Sequence, residues 1–259
     1  MSIELIQRGP IAELILNRPE KHNAFDDTML SELLRQLQHI QKQPSIRVVL
    51  LKSRGKNFSA GADLGWMQRM AEYTHDENIA DSQQLADVMK SLYSLNKPTI
   101  ALVQGGVYGG ANGLLTCCDL AIATTEAQFC FSEVKLGLVP AVISPYVIAA
   151  IGERYARRYF LTAELMTATT ARDIGLVHEL CEPDQLASRG LALAGQFLKN
   201  GPEALAACKQ LIATVSGQPI NDALIQETVN TIARSRVSPE GQEGLKAFLQ
   251  KRQPNWMES

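Results

Sequence analysis

The residues Tyr108–Asp119, YGGANGLLTCCD, follow the apolar run Thr99–Val107, TIALVQGGV, and together they decide how the chain folds. The first half of that run, TIALVQG, is short and apolar throughout, as a strand covered on both faces must be. Four glycines then fall within Gly105–Gly110, GGVYGG. A chain that leaves a buried strand and discards its side chains either packs its backbone tightly or lets something approach the backbone itself.

Working outward, Ile11–Asn17 alternates and reads as a strand, and Ile46–Ser53 as a short apolar one. Between them Leu30, Leu33, Leu34, Leu37 and Ile40 recur at helical spacing behind Asp26, a capping residue. Gly55–Met67 is a glycine-punctuated loop that opens a helix, and Glu77–Leu95 is a helix stopped by Pro98. Leu120–Thr125 and Ala127–Phe131 add two strands. From Ser144 onward the pattern is helical, with only Leu176–Cys181 suited to a strand. The expected class is α/β, with a core over residues 1–195 and a helical region over 196–259.

Composition narrows the functional classes. Of 259 residues 46% are apolar and 20% charged, and the net charge is −2, so no charge excess points to nucleic acid or an anionic membrane as partner. No apolar run reaches the length of a membrane span, and the first residues carry no signal-peptide pattern, so a cytoplasmic protein is expected. Five cysteines without a C-x-x-C pair and four unclustered histidines support neither a disulfide framework nor a metal site. The glycines of GGVYGGANG do not match G-x-G-x-x-G, and P-loop, G-x-S-x-G and H-E-x-x-H patterns are missing.

Two glycine-rich turns remain, SAGADL at Ser59–Leu64 and GGANGLL at Gly109–Leu115, each placed between a strand and a helix. Backbone N–H groups left unpaired at such turns suit a developing oxyanion, and two turns facing each other would aim two donors at one oxygen. Taken singly, either turn reads first as a tight strand–helix connection, and only the pair together favours the oxyanion reading.

Six segments carry a resemblance along nearly the whole chain: LNRPEKHNAF, FSAGADL, KPTIALVQGGVYGGANGL, CDLAIATTEAQFCFSEVKLGLVP, ARDIGLVHEL and AFLQKRQPNW. In this order the sequence resembles the enoyl-CoA hydratase/isomerase (crotonase) superfamily. The resemblance implies a crotonase (ClpP-like) spiral of ββα units, with the C-terminal helices used for trimerisation into a homotrimer or a dimer of trimers. It implies an acyl-CoA substrate with no separate cofactor, coenzyme A being part of the substrate. The amides of Ala62 and Gly110 become the oxyanion donors and Glu133 the general acid/base. Substrate contacts are expected at Ala60, Asp63, Leu64, Trp66, Tyr108, Gly109 and Lys21, and at Phe248 and Lys251 in the last helix. Asp63 also reads as a helix cap, and Arg18 lies in the segment placed near the CoA adenine.

One departure bears on the reaction. Family hydratases with two glutamates carry the second six residues before the aspartate of "CD", which is Gly113 here. An isomerase needs only one carboxyl, and Gly113 alone favours that chemistry; Asn112 is a candidate for orienting water in a hydratase. Against it, GADLGWMQRMA, CCD and SEVKLGLVPAVISPYV resemble bacterial methylglutaconyl-CoA hydratase-like members, linked to leucine or acyclic terpenoid breakdown. The leading expectation is therefore a hydratase acting on a 3-methylglutaconyl-CoA-like substrate, and the alternative a Δ3-Δ2 enoyl-CoA isomerase. A distal carboxylate calls for a cation in the acyl pocket, with Arg69 and Lys135 as candidates and Trp66, Met67, Met70 and Tyr108 as apolar walls. A non-catalytic acyl-CoA or RNA binder is the reading from another class.

Overall fold

A computed structural model describes residues 2–257. The strands are β1 (Ile3–Arg8), β2 (Ile11–Leu16), β3 (Val48–Ser53), β4 (Thr99–Val103), β5 (Gly106–Tyr108), β6 (Leu120–Thr124), β7 (Gln128–Cys130), β8 (Met166–Thr167) and β9 (Glu179–Cys181). The helices are α1 (Asp27–Lys42), α2 (Leu64–Glu72), α3 (His75–Tyr93), α4 (Ala111–Thr116), α5 (Ser144–Thr162), α6 (Ala168–Asp173), α7 (Leu186–Leu198), α8 (Pro202–Val215), α9 (Asp222–Val237) and α10 (Pro239–Leu249).

The strands form two sheets. The larger has the order β1-β2-β3-β4-β6-β9, parallel except for the β1–β2 hairpin. The smaller is β5-β7-β8, with β5 and β7 parallel. The chain thus alternates between sheets, β4 to β5 and β6 to β7, which builds the spiral of ββα units. Its helices cover both faces of the large sheet, so β4 has no exposed residue and reads as an unbroken apolar run.

Local chemistry places the elements. Asp26 caps α1 by accepting from the Met29 N–H at 2.9 Å, and the helix buries Met29, Leu30, Leu33, Leu37 and Ile40. α3 starts with a capping box between Thr74 and Glu77. The expected strands and helices are present, but β1, β5 and β8 were not foreseen. β1 pairs through a turn at Gly9 and Pro10. β5 is the glycine stretch itself, and β8 has two residues. The boundary expected after residue 195 falls inside α7, whose Leu193, Ala194, Phe197 and Leu198 pack on Val48, Leu50, Ile100, Leu102 and Ile122. Among the described residues no helix is long and apolar enough to cross a membrane.

Candidate active site

The two glycine turns lie side by side. Ser59 and Val107 form a parallel bridge: the Tyr108 N–H donates to the Ser59 carbonyl at 3.0 Å, and the Ser59 N–H to that of Gly106 at 3.2 Å. Gly61 has φ +86°, and a Cβ there would stand 2.8 Å from the Tyr108 carbonyl oxygen, so only glycine allows the approach. On the other side Phe25 bridges Ala62, with the Phe25 N–H donating to the Gly61 carbonyl and the Asp63 N–H to that of Phe25. In a parallel bridge the flanking residues make these bonds, and the Ala62 N–H is left pointing away from Phe25. The Gly110 N–H precedes α4, in the turn where amides lack intrahelical partners. Among the described residues neither amide donates a hydrogen bond within the protein.

Ala62 and Gly110 line one cavity of about 230 Å³ together with Glu133, Asp81, Trp66 and Phe25, and apolar side chains of α2, α3 and the segment 138–143 complete it. Glu133 begins a short 3-10 turn, Glu133–Leu136, straight after β7. The neighbouring turn is pinned to that strand: the Gly109 N–H donates to the Cys130 carbonyl at 2.9 Å. Gly109 has φ +53°, and a Cβ there would sit 3.3 Å from Glu133 Oε1. Glu133 Oε2 is buried without a hydrogen-bond partner. Desolvation pushes the Glu133 carboxyl above the usual glutamate range, opposed by its own backbone N–H. A larger cleft of about 400 Å³ among α8, α9 and α10 contains neither Glu133 nor the two free amides.

The remaining expected residues divide clearly. Trp66 is buried in the cavity wall, edge-to-face with Phe25 at 6.2 Å, and Met70 lines it as well. Ala60, Leu64, Met67, Tyr108, Gly109, Lys21, Phe248 and Lys251 do not line this cavity. Leu64 is 77% exposed, Phe248 is 82% exposed at the end of α10, and the Tyr108 ring folds back over Gly106. Asp63 acts structurally. It caps α2 by accepting from Gly65 and Trp66, and Oδ2 meets Lys21 Nζ at 2.9 Å and Arg18 Nη2 at 3.4 Å. The Lys21 contact, more than the cap bonds, holds its carboxyl below the usual range.

Two further expectations are corrected, and the departure at Gly113 gains a physical reason. Asn112 does not face the cavity: its Nδ2 donates to the carbonyls of Gly109 at 3.0 Å and Cys130 at 3.1 Å and staples the turn to β7. Arg69 pairs with Asp27 at 2.7 Å, and neither it nor Lys135 lines the cavity. At Gly113 the backbone packs against hydrophobic side chains. A Cβ there would overlap the Ile143 γ-methyl and lie 2.9 Å from Met89 Cε, so a larger side chain at that position would have to displace both. The sequence reading missed Phe25, Asp81, Ser82, Leu85 and the segment 138–143; their convergence is tertiary.

A spiral of ββα units with two free amides beside a desolvated carboxyl defines the crotonase class of acyl-thioester proteins. The enoyl-CoA hydratase/isomerase family model matches residues 7–259, and the chain belongs to that family. It is similar to an enoyl-CoA hydratase structure from Shewanella pealeana, at 45% identity and a TM-score of 0.97, covering 99% of this chain and 96% of that one. It is 31% identical to the 2,3-dehydroadipyl-CoA hydratase of Escherichia coli, over 94% of this chain and 93% of that protein. It is 32% identical to a mitochondrial Delta(3,5)-Delta(2,4)-dienoyl-CoA isomerase of Dictyostelium discoideum, over 94% of this chain and 86% of that protein.

Proposed function

We propose that the protein hydrates an enoyl-CoA thioester, with Ala62 and Gly110 as oxyanion donors and Glu133 as the single acid/base. The observation that carries this reading is the pair of free amides facing a desolvated carboxyl in one cavity. The thioester oxygen accepts from both N–H groups, which gain strength as charge moves onto it in the enolate. Glu133 takes a proton from water as the oxygen bonds to the β-carbon, and the same carboxyl delivers a proton to the α-carbon. One O–H bond and the C=C π bond break, one C–O and one C–H bond form, and Glu133 ends ionised as it began.

The filled space at Gly113 favours a second reading, the Δ3-Δ2 isomerase. There Glu133 removes the α-proton and returns it to the γ-carbon over the same two amides. The 3-methylglutaconyl-like substrate read from the sequence loses support, because the cavity lining contains no lysine or arginine. An uncharged acyl chain suits the walls better.

The test supplies crotonyl-CoA and 3-hexenoyl-CoA to separate samples and follows the conjugated enoyl-thioester absorbance. Loss of absorbance with crotonyl-CoA is expected. A gain with 3-hexenoyl-CoA and no loss with crotonyl-CoA would replace the hydratase by the isomerase.

A further inference from the structure

The cavity holds a second carboxyl that this mechanism leaves unused. Asp81 lies on α3 and shares the lining with Ser82 and Leu85. Trp66 Nε1 donates to Asp81 Oδ1 at 2.8 Å. The indole is itself fixed, 3% exposed and stacked edge-on against Phe25, so it holds Asp81 in place. The second oxygen of Asp81 has no hydrogen-bond partner among the described residues and is not fully buried. The nearby guanidinium of Arg69 is paired with Asp27, and no cation lines the cavity. Burial raises the Asp81 pKa, Trp66 opposes it, and Asp27 and Arg69 act in opposite senses.

We propose that Asp81 is a specificity-determining residue that restricts the acyl pocket to uncharged chains by rejecting a distal carboxylate. The inference rests on the acyl-CoA reading above and deepens it. Phe25, Met70, Leu85 and Val142 supply the apolar wall that rewards a hydrocarbon chain. A carboxylate entering the same space loses its water beside a like charge and meets no counter-ion. Rejection built from a repulsive group is how closely related ligands are told apart when apolar contact alone discriminates poorly.

Saturated thioesters test this without turnover. Calorimetry would compare length-matched pairs, pentanoyl-CoA with glutaryl-CoA and hexanoyl-CoA with adipyl-CoA, on wild type, Asp81→Asn and Asp81→Ser. Asparagine keeps an acceptor for Trp66 Nε1, and thermal unfolding verifies that both variants fold. Wild type should bind the uncharged member of at least one pair roughly tenfold more tightly or better, and both variants should lower that ratio several-fold. Equal binding within both pairs by wild type would overturn the proposal. So would unchanged ratios in the folded variants, even if those variants lost turnover of crotonyl-CoA. If wild type bound none of the four thioesters, the acyl-CoA reading itself would fall.

Discussion

Glu133 is placed where stability and reactivity oppose each other. Its carboxyl is desolvated and one oxygen lacks a partner, so the folded chain holds its proton more tightly than the unfolded chain does. A raised native pKa means that stability is greatest below the ordinary glutamate range and falls as pH rises through the native value. Glu133→Gln should therefore melt at a higher temperature than wild type at pH 7, and the difference should close in acid. Calorimetric scans across pH check the sign; a variant less stable at pH 7 would contradict it. The same shift moves the acid limb of kcat/KM above the ordinary glutamate value, because the base works ionised. Gly113 makes a separate prediction. Alanine there overlaps the Ile143 γ-methyl and crowds Met89 Cε, so both must shift, and overpacking of this kind costs about 1–3 kcal/mol. Denaturant unfolding of Gly113→Ala measures it, and a neutral result would mean that the Ile143 wall yields.

At the scale of elements, the two turns act as one unit. Ser59 pairs with β5, Ala62 bridges Phe25, and Gly109 is tied to β7, so the positions of both amides follow from strand pairing. Gly61→Ala sets a side chain at φ +86° against the Tyr108 carbonyl and should cost about 1–3 kcal/mol. It should also lower turnover more than it lowers stability would suggest, because it moves an oxyanion donor; a variant with wild-type kcat would contradict the arrangement. This unit was half legible in the sequence. Two glycine-rich strand–helix turns announced themselves by composition, and helix α1 by the spacing of its leucines. What those glycines answer to was hidden. Gly113 faces Ile143, thirty residues on, and Asp81 is aimed by Trp66, fifteen residues back. Such contacts belong to the tertiary fold and leave no local period or motif. β1, β5 and β8 escaped for a related reason: two are only two or three residues long and owe their form to a partner strand.

At the scale of the molecule, the C-terminal helices are anchored but not covered. Arg47 donates to the carbonyls of Trp256, Leu198 and Asn200, and Glu240 accepts from the amides of Glu203 and Ala204. Yet α8 and α9 bury no residue fully, and Ile212, Ile220, Ile225, Val229, Ile232 and Val237 stand exposed. Apolar surface of this extent marks an association face. We propose that the chain self-associates through this face, and light scattering on the purified protein measures the mass directly; a stable monomer would contradict this. The central claim is narrower, that Glu133 moves the proton while backbone amides hold the thioester. The most direct measurement is the kcat of Glu133→Gln on crotonyl-CoA beside its Kd for butyryl-CoA. The account predicts a loss of about 10²–10⁴-fold in kcat with binding retained. Turnover within a few-fold of wild type would contradict it.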